Sequence, residues 1–468
     1  MDLPEFALSS RRVVTVDGVR DAVVVVRDGI IGEITEHRSV PRNLPVEDFG
    51  DCVIMAGLVD THVHVNEPGR TEWEGFVSAT KAAAAGGVTT IVDMPLNSHP
   101  VTTTSEALAA KLSAAKGKLF VDCGFYAGLV PGNSQELRAL IDAGILGVKA
   151  FLIDSGIADF QPAALSDLRA GMKILAESDV PLLVHAELDV SQTNNVVVPS
   201  DVRSYAGYLS SRPRQWEHDA IALMIQLCGE YRCRVHIVHL SSADDVVLLG
   251  NARRSGLPLT VETCPHYLYF AAEEISNGAT LLKCAPPIRE AENREGLWNA
   301  LEEGTIDIVV SDHSPCPPQL KLSDTGDFQK AWGGIASLLY GLAVVWTSAS
   351  QRGISISDVS DWMCRRPAEL VGLGTRKGSL RSGNDADIVV WDPEASFKVD
   401  SADIVHRHKI TPYTGLILRG KVEKTFLAGR KIFDGGRFAD EFCGRIVLND
   451  RNRIGPVINR SAQRISAT

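Results

Sequence analysis

The chain has 468 residues, 45% hydrophobic and 22% charged, the balance of an ordinary globular protein long enough for one large domain and a smaller one. A net charge of −11 argues against nucleic acid or an anionic membrane as the main partner, and no apolar run approaches the roughly 20 residues that cross a bilayer. Nine cysteines, an odd number without Cys-x-x-Cys pairs, read as reduced thiols; an N-terminus carrying Asp2 and Glu5 lacks a basic-then-apolar leader, and together these predict a cytoplasmic protein.

Residues 1–54 read as a β-rich unit. Short β-branched runs at 13–16, 22–26 and 30–34 are split by Asp17-Gly18 and Asp28-Gly29, both hairpin-turn signals. From residue 55 to 374 the texture changes to strand followed by helix, repeated. The first such strand closes on Val59-Asp60-Thr61-His62-Val63-His64-Val65, where period-two alternation aims both imidazoles the same way. Thr71-Glu72-Trp73-Glu74 fits a helix capping box, and the helix continues through the 82–85 alanines until Gly86-Gly87 stops it. Further strands are expected near 88–93, 120–126, 147–152, 181–185, 234–240, 257–262 and 306–312. Helices are expected at 105–115, 135–143, 165–177, 216–230 and 292–302. Between them, residues 191–213 form a loop whose start, Ser191-Gln192-Thr193-Asn194-Asn195, suits a mobile and a rigid segment equally. Eight strand–helix units predict a closed (β/α)8 TIM barrel. Residues 375–440 return to short β runs (387–391, 416–418, 422–427), so both chain ends can build one small β-sandwich domain. The polar stretch 441–468 reads as a tail running over the surface or onto a neighbouring subunit.

Barrel enzymes place their chemistry at the C-terminal ends of the strands. The ligand-type residues expected there are His62, His64, Lys149, His185, His239 and Asp312. Two neutral imidazoles converging on one point suit a divalent metal. Lys149, in Gly147-Val148-Lys149-Ala150-Phe151, is either a side chain snorkelling to the rim or a buried amine whose charge is removed. His185 is a satisfied core histidine or a ligand. His236 and His239, three apart, should face opposite sides, which makes His239 the ligand and His236 structural. Asp312 ends an apolar run and can both hold a metal and take a proton from water, whereas the parity of His313 points it elsewhere. Together these residues point to a two-metal hydrolase.

At this level the chain resembles the amidohydrolase superfamily and, within its cyclic amidases, the allantoinase family. The resemblance rests on His62-Val63-His64-Val65-Asn66-Glu67-Pro68-Gly69-Arg70 with Trp73-Glu74-Gly75-Phe76. Asp93-Met94-Pro95-Leu96-Asn97-Ser98 and Lys283-Cys284-Ala285-Pro286-Pro287-Ile288-Arg289 add to it. It implies that His62, His64 and Asp312 hold one metal, that His185 and His239 hold a second, and that Lys149 carries a carbamate bridging the two. Zinc is the first choice for four imidazole ligands, with cobalt and manganese also suited. The implied reaction is attack of a metal-activated hydroxide on a ring carbonyl. Asp312 is the implied catalytic proton carrier, and allantoin would open to allantoate. A small-molecule substrate and a homo-oligomer, often a tetramer, are implied as partners. The neighbouring alternatives are a dihydropyrimidinase or hydantoinase, a dihydroorotase, and a non-catalytic interaction protein of the same fold. Dihydroorotases resemble this chain but carry an arginine at the position of Asn66. Asn66 then contacts a neutral ureido group or simply caps its loop, and Asn97 has the same two readings. Cys284 contacts the ring through its backbone or is a small buried residue, and Gly334, in Gly333-Gly334, lets backbone approach substrate or only turns.

Overall fold

The computed structural model describes residues 5–39, 43–189 and 200–449. Chain order gives β1 (Phe6–Thr15), β2 (Gly18–Arg27), β3 (Ile30–Thr35), β4 (Val46–Asp48) and β5 (Val53–Ala56). The next strands are β6 (Leu58–Val63), β7 (Val88–Asp93), β8 (Asp122–Gly128), β9 (Gly147–Phe151) and β10 (Leu182–His185). They are followed by β11 (Val235–Ile237), β12 (Leu259–Thr263) and β13 (Ile308–Val309). The last are β14 (Ile388–Lys398), β15 (Ile417–Leu427), β16 (Arg430–Asp434) and β17 (Arg437–Phe438).

Strands β6 to β13 form one eight-stranded sheet in sequence order, each pair parallel. The first and last strands meet just beyond their ends, where the His64 amide donates to the His313 carbonyl at 2.9 Å and Val63 bridges His313 in parallel. The TIM barrel expected from the alternation is therefore present. Its strands read as near-continuous apolar runs because helices cover the outer face and side chains fill the inner one. Helix Ser105–Ala115 agrees with its expected bounds, as does Ala291–Glu302 to within one residue. No helix among the described residues is long and apolar enough to cross a membrane.

The other strands make a separate nine-stranded sheet from both chain ends, with β14 pairing antiparallel to β5 across the junction. Its hairpins sit where the Asp-Gly pairs predicted them. Asp28 and Gly29 take φ of 52° and 77°, the double positive φ of a two-residue turn that matches strand twist. Lys377, 2% exposed, anchors this sheet to the barrel base, its ammonium lying 2.8 Å from Asp122 at the start of β8 and 2.5 Å from Asp387 before β14.

Three expectations need correction. The first helix starts at Phe76 with Gly75 as its N-cap and no side-chain cap, so Thr71–Glu74 is not a capping box. Glu74 is fully buried and turned inward, accepting from Ser78 Oγ and from the Arg407 amide at 3.2 Å, which leaves it unable to reach back to Thr71. The strands carrying His239 and Asp312 stop early, at Ile237 and Val309, because both residues adopt left-handed backbone, with φ of 40° and 44°. The start of the C-terminal tail does not wander. The Cys123 amide donates to the Arg445 carbonyl and the Val447 amide to the Cys123 carbonyl, each at 2.9 Å, so residues 444–449 run beside β8. Gly444 permits this close pass, since a Cβ there would lie 2.1 Å from the Val121 carbonyl oxygen. Residues 450–468, and the loop start at 191–195, lie outside the described residues.

Candidate metal centre

The C-terminal ends of the barrel strands surround a cavity of about 580 Å³, and His62, His64, Lys149, His185, His239 and Asp312 all line it. Strand alternation brings His62 and His64 to the same side, their ring centroids 5.4 Å apart. Their Nε2 atoms lie 3.3 and 3.5 Å from Asp312 Oδ1. A ligand atom from each of these three residues falls within one sphere of metal-site dimensions, all within 4.8 Å of one another. On the far side the His185 and His239 rings meet edge to face at 4.6 Å, with His185 Nδ1 2.9 Å from His239 Nε2.

The partners behind the imidazoles fix which nitrogen is free. His62 Nδ1 is held by Glu262 Oε1 at 2.5 Å, and His64 Nδ1 by the Leu96 carbonyl at 2.8 Å, so both rings present Nε2 to the cavity. Glu262 bridges to His236 Nε2 at 2.9 Å, and His236 Nδ1 reaches Thr260 Oγ1 at 2.8 Å. His236 is thus structural, as expected, but not by facing away. The left-handed turn at His239 breaks the strand parity, and both residues touch Glu262, whose Oε1 also accepts the His239 amide at 3.2 Å. His185 Nε2 lies 2.7 Å from Glu187, which is clamped by Arg212. Glu187 and Glu262 were missed in the sequence. The available signals were the His-x-Glu spacing at 185–187 and a carboxylate inside an apolar strand.

Burial is the largest influence on His62, His185, His239, Lys149, Glu262 and Asp312. It pushes His62, His185 and His239 below the usual imidazole range, which favours the neutral, metal-binding form. Burial also lowers Lys149 to about 8 against the opposing pull of Glu262 and Asp312. Burial would raise Glu262, but His62 and His236 outweigh it and bring the carboxyl to about 2. The same contest at Asp312 is won by His62 and His64, which hold it well below the usual carboxylate range. A Glu262→Gln variant is expected to weaken metal retention by roughly 10- to 100-fold, the usual cost of losing an outer-shell carboxylate. Competition with a chelator would measure it.

The residues present fit a metal pair. Lys149 is fully buried at mid-strand and its Nζ has no hydrogen-bond partner, nor has His239 Nδ1. A buried ammonium left this way is costly, whereas an amine converted to an anion between cations is not. The Lys149 Nζ also sits 5.1 Å from the Phe151 ring, which stacks on His185 at 4.5 Å and walls off that side.

The four residues considered for substrate contact divide evenly. Asn97 and Gly334 line the cavity. Asn66 and Cys284 do not appear in its wall. Asn66 is buried behind Asn97, accepting from Asn97 Nδ2 at 3.5 Å and donating to the Pro315 carbonyl at 3.4 Å. Cys284 is 1% exposed and its carbonyl accepts from the Tyr208 hydroxyl at 2.7 Å, while its neighbours Lys283 and Ala285 line the cavity.

Residues 53–432 match the amidohydrolase family. The chain is 46% identical over 458 residues to the allantoinase of Arabidopsis thaliana, covering 94% of this chain and 90% of that one. It is 47% identical over 437 residues to the allantoinase of Streptomyces avermitilis, covering 93% and 97%. Among solved structures it is similar to an L-hydantoinase (dihydropyrimidinase) from Arthrobacter aurescens, with a TM-score of 0.88 and 31% identity over 95% of this chain and 100% of that one.

Proposed function

We propose that this chain, which belongs to the amidohydrolase family, is an allantoinase: a hydrolase that opens the hydantoin ring of allantoin to give allantoate. The observation that carries the chemistry is the convergence of four imidazoles and Asp312 around the unpartnered amine of Lys149 at the floor of the cavity. The allantoinases among its relatives support the substrate.

His62, His64 and Asp312 would hold one divalent ion, His185 and His239 the other, and a carbamate on Lys149 would bridge them. Zinc suits this donor set best. Bound there, the ions supply an acidified water and a polarised ring carbonyl. Asp312, kept ionised by its two imidazole neighbours, accepts the proton that water releases on attack and hands it to the departing ring nitrogen. Glu262 and Glu187 keep the His62 and His185 rings in one orientation through this transfer. Asn97, backed by Asn66, presents a neutral amide at the wall, a match for an uncharged ureido arm, whereas a carboxylate-bearing ring would call for an arginine in this loop. Nine unpaired cysteines support a cytoplasmic setting, and the family resemblance supports a homotetramer.

Metal-loaded protein should open allantoin in preference to hydantoin, dihydrouracil and dihydroorotate, by roughly 10²-fold or more in kcat/KM. Preference for hydantoin or dihydrouracil would replace the substrate with that of the hydantoinase-like structures and keep the chemistry. Failure on all four rings with metal bound would overturn the reading.

A further inference from the structure

Lys321 is 4% exposed, yet no carboxylate lies within ion-pairing distance of it among the described residues. Its ammonium instead donates to three backbone carbonyls: Lys283 at 3.3 Å, Trp332 at 3.1 Å and Gly334 at closer range. An ammonium has three donors and no acceptor, so this set uses all of them. The carbonyls belong to two segments far apart in the chain, and both line the cavity, through Lys283 and Ala285 on one side and Trp332, Gly333 and Gly334 on the other.

The two segments are also joined directly, the Gly334 amide donating to the Lys283 carbonyl at 2.8 Å. Tyr208, itself in the cavity wall, ties the next carbonyl, that of Cys284, at 2.7 Å. The Lys283 ammonium reaches the Gln329 and Ala331 carbonyls at 3.1 and 2.6 Å, across the same seam. Gly334, with φ of 152°, presses against Ser314, where a Cβ would sit 2.5 Å from the Ser314 carbonyl oxygen. Ser314 is two residues from Asp312, so the shelf formed by the two segments abuts the proton carrier without belonging to the metal ligands.

We propose that Lys321 is a positioning residue for the ring substrate, its buried ammonium locking the 283–285 and 332–334 backbone segments into one shelf that faces the metal ligands across the cavity. The inference rests on the reading of this cavity as a cyclic-amide site. Lys321→Met removes the donors and keeps the length. It leaves three buried carbonyls short of a partner, and the cheapest relief is for the glycine-containing segment to move toward water.

The test compares steady-state kinetics of Lys321→Met and wild-type holoenzyme on whichever ring the wild type opens best. A wild type that prefers another ring overturns allantoin as the substrate and leaves this comparison intact. The expected result is a KM raised roughly 10- to 100-fold, the scale of hydrogen bonds to a charged group, with kcat changed less and metal content unchanged. A folded, metal-replete variant whose KM stays within about two-fold of wild type, or whose loss is confined to kcat, overturns it. If Lys321→Met yields no folded protein, Tyr208→Phe takes its place, because it removes a single hydroxyl tether from the same shelf. A KM raised about five-fold then supports the proposal, and an unchanged KM overturns it.

Discussion

Asp312→Asn is expected to lower kcat by roughly 10³-fold while leaving the fold intact, within the range that a positioned acid–base group contributes. The carboxylate is 7% exposed, contacts the Nε2 atoms of His62 and His64, and is held ionised by them at neutral pH. An amide of the same shape keeps the packing and one ligand oxygen but cannot take up a proton from attacking water. Thermal unfolding and circular dichroism should therefore stay close to wild type while turnover collapses. Unimpaired turnover would remove Asp312 from the proton path. Loss of metal in parallel with turnover would assign it chiefly to holding the ion.

Lys149→Ala should be at least as severe. The side chain lines the cavity but is fully buried, with an Nζ that has no hydrogen-bond partner. On the proposed reading, removing it deletes the carbamate that would bridge the His62–His64–Asp312 cluster and the His185–His239 pair. Metal content is expected to fall well below that of the wild type, and activity by on the order of 10³-fold, several kcal/mol of lost charge stabilisation. Short carboxylic acids such as acetate or propionate should restore part of both, because truncation opens the space in which the two oxygens of a carbamate would lie. Full metal content in the variant would rule out the bridge.

How far the site was legible follows from how local each signal is. His62 and His64 declare themselves because two residues on one strand share a face. The partner that orients His62 is Glu262, 200 positions away, and nothing near either residue announces the pairing. His239 and Asp312 were found from strand ends, but the left-handed backbone that turns each into the cavity overrode the simple alternation used to judge their neighbours. The supposed capping box at Thr71 failed for a related reason. Its carboxylate, Glu74, is claimed by the Arg407 amide, 333 positions downstream, and a helix-start pattern has no defence against a distant, buried competitor.

What the sequence alone determines here is periodicity and chemistry. Alternating apolar strands and helices yield the barrel, Asp-Gly pairs yield the hairpins of the small sheet, and one ligand-type residue after another falls at a strand end. These are consequences of residue type and spacing within a few positions, and they survive any packing of the whole. Only the tertiary structure decides which carboxylate holds which imidazole, that Asn66 stands behind Asn97 and out of the cavity wall, and that Lys321 ties two distant backbone segments into a shelf. Those contacts join residues tens to hundreds of positions apart. They form because a buried polar group must find a partner wherever the fold supplies one, and the chain's local pattern carries no record of where that will be.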